Sequence, residues 1–155
     1  MVSQQQDPIG YFLTWTTYGT WLPGDERGWV EYKNGWQMPA KILEIDCQQR
    51  MREAKCLLTP TERILVEQQV KETCRLRKWT LYAINCRSNH LHVVLDAESD
   101  SPDKMRIDLK AWTTRRLQEE SGKQRKHWWA ERGSSRYIWD EESLNEVVHY
   151  VDHCQ

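Results

Sequence analysis

The sequence has few of the features that mark membrane, secreted or disulfide-linked proteins. It contains no uninterrupted apolar run of about 18 residues, and its mean hydropathy is −0.84, so no transmembrane span is predicted. The first ten residues, MVSQQQDPIG, include neither a cationic segment nor an apolar one, and so predict no secretory signal. We therefore expect no membrane association and a cytoplasmic protein.

Cysteine pairs are also lacking. The five cysteines are odd in number and none forms a CxxC pair, which argues against both a disulfide framework and a zinc ribbon. We expect reduced and mostly buried thiols.

No excess of one charge is present, since 22 Lys and Arg face 23 Asp and Glu. A net charge of −1 excludes polyanion binding through overall charge, so any such binding needs a local patch. Residues 104–136 hold ten basic and four acidic residues, whereas residues 137–155 hold no basic and five acidic ones. The first of these segments is the candidate anion-binding region, with a solvated helix face as the alternative.

Phenylalanine occurs once, against nine Trp and six Tyr. Trp and Tyr carry polar groups that suit half-buried, hydrated surfaces, and their rings can stack on nucleic-acid bases.

The length of 155 residues is that of one domain, spanning residues 1–155. Residues 10–58 are expected to form a strand and a structured loop insertion, with a short helix near residues 48–55. Residues 59–155 should hold a helix, a hairpin, a basic helix, a strand and a last helix. The patterns place strands at 10–17, 79–87, 90–97 and 136–139, and helices at 60–78, 102–119 and 141–154.

This order predicts an α+β fold, a ferredoxin-like βαββαβ antiparallel sheet with helices on one face. A C-terminal helix follows, and it carries Tyr150 beside an apolar stripe formed by Leu144, Val147, Val148 and Val151.

Two histidines stand one residue apart in Asn89-His90-Leu91-His92, at the start of a predicted strand. Because strand side chains alternate between faces, both imidazoles must leave the same face. Imidazole suits divalent ions from Mn²⁺ to Zn²⁺, so the pair is half of a metal site and needs a third ligand. Solvated or core histidines are the alternative.

Tyr150 offers a hydroxyl on the last predicted helix, unless its ring simply packs against the sheet. Residues three and four positions further along lie on the same helix face, which selects His153 and Cys154. Gln155, five positions further, points away on an ideal helix.

Four segments together resemble the HUH single-tyrosine transposases of the insertion-sequence and REP-associated types, in which U is a hydrophobic residue. The similarity covers nearly the whole chain, and the closing tyrosine helix is most similar to the REP-associated branch. The segments are FLTWTTYGTWLPGDERGW, NHLHVVLD, LKAWTTRRL and RYIWDEESLNEVVHYVDHCQ.

The resemblance implies metal-dependent cleavage and rejoining of single-stranded DNA through a covalent 5′-phosphotyrosine. Tyr150 matches the nucleophile, and His90 and His92 match the pair that holds Mg²⁺ or Mn²⁺. Relatives commonly complete the metal site with Gln or Asn four residues after the tyrosine. That position is Cys154 here, so the third ligand is Gln155 or, alternatively, His153.

Single-stranded or hairpin DNA is the expected partner. The resemblance allows a homodimer, as in insertion-sequence members, or a monomer. Trp112 is expected in the core beside Met105 and Leu109, while Trp128 and Trp129 stay open as base-stacking rings. The candidate phosphate-binding residues are Arg106, Lys110, Arg115, Arg116, Lys123, Arg125 and Lys126.

Two other functions stay open at this point. A domesticated hairpin-DNA or RNA-binding domain would keep the fold without cleaving, which the cysteine at position 154 motivates. A zinc hydrolase unrelated to DNA would bind Zn²⁺ tightly and form no covalent DNA adduct. Separately, Cys86 could join the histidines in a zinc site, although one cysteine outside a CxxC pair is weak support.

Overall fold

The fold is an antiparallel sheet between helices, and the computed structural model describes residues 6–153. Cys154 and Gln155 lie outside the described residues. The elements in chain order are β1 (Gly10–Thr16), β2 (Trp29–Glu31), β3 (Gly35–Gln37), α1 (Lys41–Arg50), α2 (Pro60–Arg77), β4 (Thr80–Cys86), β5 (His90–Asp96), α3 (Pro102–Glu120), β6 (Ser134–Ile138) and α4 (Glu141–His153).

The main sheet has the strand order β4-β5-β1-β6, with every neighbouring pair antiparallel. This arrangement and the intervening helices α2 and α3 confirm the predicted ferredoxin-like fold. β2 and β3 form a separate two-stranded sheet. No helix in the described part of the chain is long and apolar enough to span a membrane.

The two faces of the sheet support two different cores. Leu91, Val93 and Leu95 of β5 are fully buried against α2 and α3. On the other face, Phe12 and Val94 pack with α4. The prediction of helices on one face therefore holds for α2 and α3, and the C-terminal helix covers the opposite face.

The start of α2 is stabilised by a capping box. The Thr59 hydroxyl accepts a hydrogen bond from the Glu62 backbone N–H, and the Glu62 carboxylate accepts one from the Thr59 N–H at 2.9 Å. Pro60 occupies the first helical position, where no backbone donor is needed.

The insertion differs from the prediction. Its helix, α1, spans Lys41–Arg50 rather than residues 48–55. None of its ten residues is buried, so it has no apolar stripe from which periodicity could have located it. The last strand also begins earlier, at Ser134, and ends at Ile138.

Three of the four cysteines within residues 6–153 are buried, which agrees with the expectation of mostly buried thiols. Cys47, Cys56, Cys74 and Cys86 are free, and all but Cys47 are buried. Burial raises the pKa of Cys74 and of Cys86 to about 12, so both are protonated at neutral pH.

The tryptophan assignments need correction. Trp112 is 39% exposed, so the expectation that it belongs to the core is wrong. The buried stripe of α3 runs through Thr113, whose hydroxyl donates to the Leu109 carbonyl and accepts a 3.0 Å hydrogen bond from Trp129 Nε1. Trp128 and Trp129 are both buried, which excludes them as base-stacking surfaces.

We expect Thr113→Val to destabilise the protein by about 1–3 kcal/mol, because it leaves the buried Trp129 Nε1–H without an acceptor. Thr114→Val is the matched control. It makes the same change at the next residue, which is only half-buried and is not the residue that accepts the Trp129 hydrogen bond. Urea unfolding followed by tryptophan fluorescence measures both. Equal midpoints for the two variants would contradict this role of Thr113.

Candidate active site

The two histidines of β5 project from the sheet face that α4 covers. Leu91, between them, is fully buried on the opposite face, and this alternation directs both imidazoles to one side. Their ring centroids are 4.8 Å apart. The predicted shared face is therefore observed.

His92 is held by a neighbouring strand. Thr14 of β1 pairs with it in register, and the Thr14 hydroxyl lies 2.7 Å from His92 Nδ1. When Nδ1 donates to this hydroxyl, Nε2 carries the lone pair and is the atom suited to coordinate a metal. Burial, and then the neighbouring His90, lower the pKa of His92 to about 4, which leaves a neutral imidazole at pH 7.

His90 is oriented by its own neighbour in the chain. Its Nδ1 donates to the Asn89 side-chain oxygen at 2.8 Å, which places the imidazole lone pair on Nε2. Both histidines are thus anchored through Nδ1, the arrangement in which Nε2 binds a divalent metal, and the donor set fits such an ion.

No His, Cys, Asp or Glu of residues 6–153 completes a metal site with the two histidines. Among residues 6–153, no group of three His, Cys, Asp or Glu side chains could hold a metal ion. His153, offered as an alternative ligand, lies against His149 with ring centroids 4.9 Å apart. Gln155 lies outside the described residues, so its predicted role stays a prediction.

The end of α4 is fixed beside the histidines. Val151 is fully buried, and its carbonyl accepts a 3.0 Å hydrogen bond from the side-chain amide of Asn85. Asn85 lies on β4 directly opposite His92. This contact ties the last turns of α4 to the row of the sheet that carries His92.

Tyr150 directly precedes Val151 in α4, and its ring lies close to His92. Its ring centroid lies 5.9 Å from that of His92 and 6.4 Å from that of Phe12. Phe12 also contacts His92, at 5.1 Å between centroids. Tyr150 is nevertheless 44% exposed. An exposed phenol and two imidazoles therefore share one open surface.

Sequence reasoning missed Thr14, Asn85 and Phe12. Their contribution depends on which residues of β1 and β4 pair with β5, and the sequence does not specify that register. The only available signal was the alternation of β1, which puts Phe12 and Thr14 on one face.

The predicted phosphate-binding residues lie on α3 and the segment after it, and α3 covers the face of the sheet opposite the histidines. Several contact other parts of the protein. Lys110 Nζ donates to the carbonyls of Ala130 and Arg132, and Lys123 pairs with buried Glu62 at 2.8 Å. Burial lowers the pKa of Lys110 to about 8.

The four arginines of that set also have internal contacts. Arg106 pairs with Asp103 at 3.3 Å, and Arg115 with Glu119 at 3.2 Å. Arg116 pairs with Glu120 and contacts Gln68 and Gln69, while Arg125 donates to the Ala54 and His127 carbonyls. Lys126 has an exposed side chain, and its backbone N–H donates to Glu53.

Cys86 cannot join the histidines in a zinc site. It pairs in register with Leu91 and is buried in the core beneath α2 and α3, on the opposite side of the sheet from His90 and His92. The structure therefore excludes a zinc site that combines Cys86 with the two histidines.

Comparisons with known proteins agree with this fold. A structure of the REP-associated tyrosine transposase bound to a REP hairpin matches 97% of this chain and 70% of that chain, with a TM-score of 0.54 and 14% identity. A crystal structure from Deinococcus radiodurans R1, provisionally assigned as a transposase, matches 96% of this chain and 92% of that chain, with a TM-score of 0.50 and 13% identity. No curated protein matches the sequence.

These structures share the antiparallel α+β fold of this chain, in which a histidine pair lies beside a tyrosine on the last described helix. The family follows from the sequence itself, because residues 47–154 match the model of the IS200-like transposases. The chain belongs to the IS200-like transposase family.

We expect Thr14→Val to weaken Mn²⁺ binding about 10–100-fold, because the hydroxyl that orients His92 is lost. Thr14→Ser keeps the hydroxyl and should bind Mn²⁺ as the unmodified protein does. Isothermal titration calorimetry of the folded variants measures the affinities. Equal affinities for the valine and serine variants would contradict this positioning role.

Proposed function

We propose that the protein is a metal-dependent transposase that cleaves and rejoins single-stranded DNA through a covalent bond to Tyr150. The observation that carries the proposal is the meeting of three rings on one sheet face. The His90 and His92 centroids are 4.8 Å apart, and Tyr150 lies 5.9 Å from His92. Membership of the transposase family supports the same reaction class.

Tyr150 is the proposed nucleophile. Its phenolic oxygen, after losing its proton, attacks the phosphorus of a DNA phosphodiester, and the bond from phosphorus to the 3′ oxygen breaks. The leaving 3′ oxygen takes up a proton and becomes a 3′-hydroxyl. The downstream strand stays attached to the enzyme as a 5′-phosphotyrosine.

Rejoining is the same step in reverse. The 3′-hydroxyl of another strand loses its proton and attacks the phosphotyrosine, and the bond between phosphorus and the Tyr150 oxygen breaks. Tyr150 regains its proton. One phosphodiester bond is exchanged for another, so no nucleotide hydrolysis is required.

His90 and His92 would hold the metal through their Nε2 atoms, with Gln155 as the proposed third ligand. When bound, Mg²⁺ or Mn²⁺ would neutralise charge on the non-bridging phosphate oxygens. Thr14 and Asn89 orient the two imidazoles through their Nδ1 atoms. Phe12 packs against both His92 and Tyr150.

Single-stranded or hairpin DNA is the proposed partner, in agreement with a structural relative that is bound to a REP hairpin. Arg115 and Lys126 have exposed side chains suited to phosphate contact. The Arg115 guanidinium also lies 5.5 Å from the centre of the exposed Trp112 ring, a combination suited to contact with an unpaired base. The other five basic residues of the set are proposed to add positive charge around these two: Arg106, Lys110, Arg116, Lys123 and Arg125. The proposed assembly is a homodimer.

Incubation with Mg²⁺ or Mn²⁺ and labelled hairpin-bearing single strands tests the proposal. We expect a protein–DNA adduct on denaturing gels that carries the downstream fragment. Tyr150→Phe should abolish it because only the attacking oxygen is removed, and His90→Ala should abolish it because a metal ligand is lost. Tyr82→Phe is the matched control, since it removes a hydroxyl from an exposed tyrosine of β4.

Two outcomes would contradict the proposal. Hairpin binding without any adduct would favour a domesticated DNA- or RNA-binding domain of the same fold. An adduct that persists in Tyr150→Phe would assign the nucleophile to another residue.

A further inference from the structure

The four strands of the main sheet contain a single Lys or Arg, which is Arg136 on β6. α4, which packs on the candidate active-site face, contains acidic residues and no Lys or Arg. A DNA strand brings a negative charge with each phosphate, so a surface that receives it needs a positive group. Arg136 is the strand residue that can supply one.

Strand register directs Arg136 to the candidate active-site face. Ile138, two residues further along β6, is buried with α4 on that face, so Arg136 leaves the same side of the sheet. Arg136 lies directly opposite Phe12 on β1. Directly opposed residues have Cβ atoms about 5 Å apart, so Arg136 borders the ring that contacts both His92 and Tyr150.

Among residues 6–153, helix packing covers only part of this face. α4 packs mainly on β4 and β5. Ser134 and Arg136 on β6 are exposed, and Thr14 and Thr16 on β1 are half-buried. An open strip therefore runs along β1 and β6 beside Tyr150. Neighbouring strands lie about 4.8 Å apart, so the two spacings from β5 across β1 to β6 make the strip about 10 Å wide.

The guanidinium of Arg136 is available within the described part of the chain, where no hydrogen bond or ion pair engages it. This differs from Arg106, which also lies beside β6 but pairs with Asp103 and Ser135. An exposed arginine that borders a catalytic surface and has no internal partner is suited to bind a phosphate through its planar fork of donors.

We propose that Arg136 binds a phosphate of the DNA strand as it crosses β1 and β6 to reach Tyr150. This inference rests on the proposed function, since it assigns a substrate contact to the same site. It adds a phosphate-binding residue on the face of the sheet opposite the α2 and α3 layer.

Binding to a single-stranded oligonucleotide tests this assignment separately from cleavage. Fluorescence anisotropy is measured without divalent metal, in the Tyr150→Phe background, over a series of salt concentrations. Arg136→Ala should weaken binding about tenfold at low salt. It should also reduce the slope of log affinity against log salt by about 0.7, the value for one phosphate contact on a single strand.

Two further variants make the result specific. Arg136→Lys keeps the charge and should keep the salt slope while losing part of the affinity, because the fork geometry is lost. Arg75→Ala removes an exposed arginine from α2, where it pairs with Glu72, and should leave affinity and slope unchanged. Circular dichroism melting identifies any variant that fails to fold.

The possible results separate the two proposals. If Arg136→Ala leaves both affinity and slope unchanged, the assignment of Arg136 is wrong, whether or not Tyr150 forms an adduct. If the slope falls as expected but the unmodified protein forms no adduct, the phosphate contact stands and the cleavage proposal fails. An equal loss in Arg75→Ala would also overturn the assignment, because overall charge would then account for it.

Discussion

The burial of alternate side chains on β5 is the constraint on which the site depends. Leu91, Val93 and Leu95 are fully buried against α2 and α3, which leaves His90 and His92 on the opposite face. A register slip of one residue would move imidazoles into the apolar core and leucines out of it. The packing energy of one face therefore determines the position of the polar groups on the other.

The C-terminal helix applies a second constraint to the same surface. Leu144 and Val151 are buried against the sheet, and the Asn85 side chain holds the carbonyl of Val151. Tyr150 comes just before this anchored residue and is turned towards Phe12 and His92. The helix thereby brings the tyrosine to the histidines while leaving the β1 and β6 side of the face open to a substrate strand.

Most of the sheet and its helices could be predicted because they follow simple periodic rules. The strand alternation of HLHVVLD and the apolar stripe of α4 both match the structure. The insertion could not be predicted in the same way, because α1 has no buried side chain and packs without a visible stripe. The prediction for Trp112 failed because burial on α3 does not follow hydrophobicity at this point. Trp112 is exposed, whereas the polar Thr113 is buried.

The site was predictable in its residue types but not in its supporting contacts. The same-face rule identifies His90 and His92 from sequence, whereas the Thr14 contact needs the pairing of β1 with β5. Arg136 gives no sequence signal of its own, because its position beside Phe12 depends on the register of β6. The family membership agrees with the resemblance found in the sequence, while the chemistry proposed for Tyr150 depends on experiment.

Mass spectrometry of the protein after reaction with single-stranded DNA and Mn²⁺ tests the central claim most directly. Trypsin cleaves after Arg136 and no Lys or Arg follows in the sequence, so the relevant peptide begins at Tyr137 and contains both Tyr137 and Tyr150. Fragmentation should place a nucleotide 5′-phosphate on Tyr150. Cleaved DNA together with an unmodified Tyr150, or a nucleotide on Tyr137, would contradict the account.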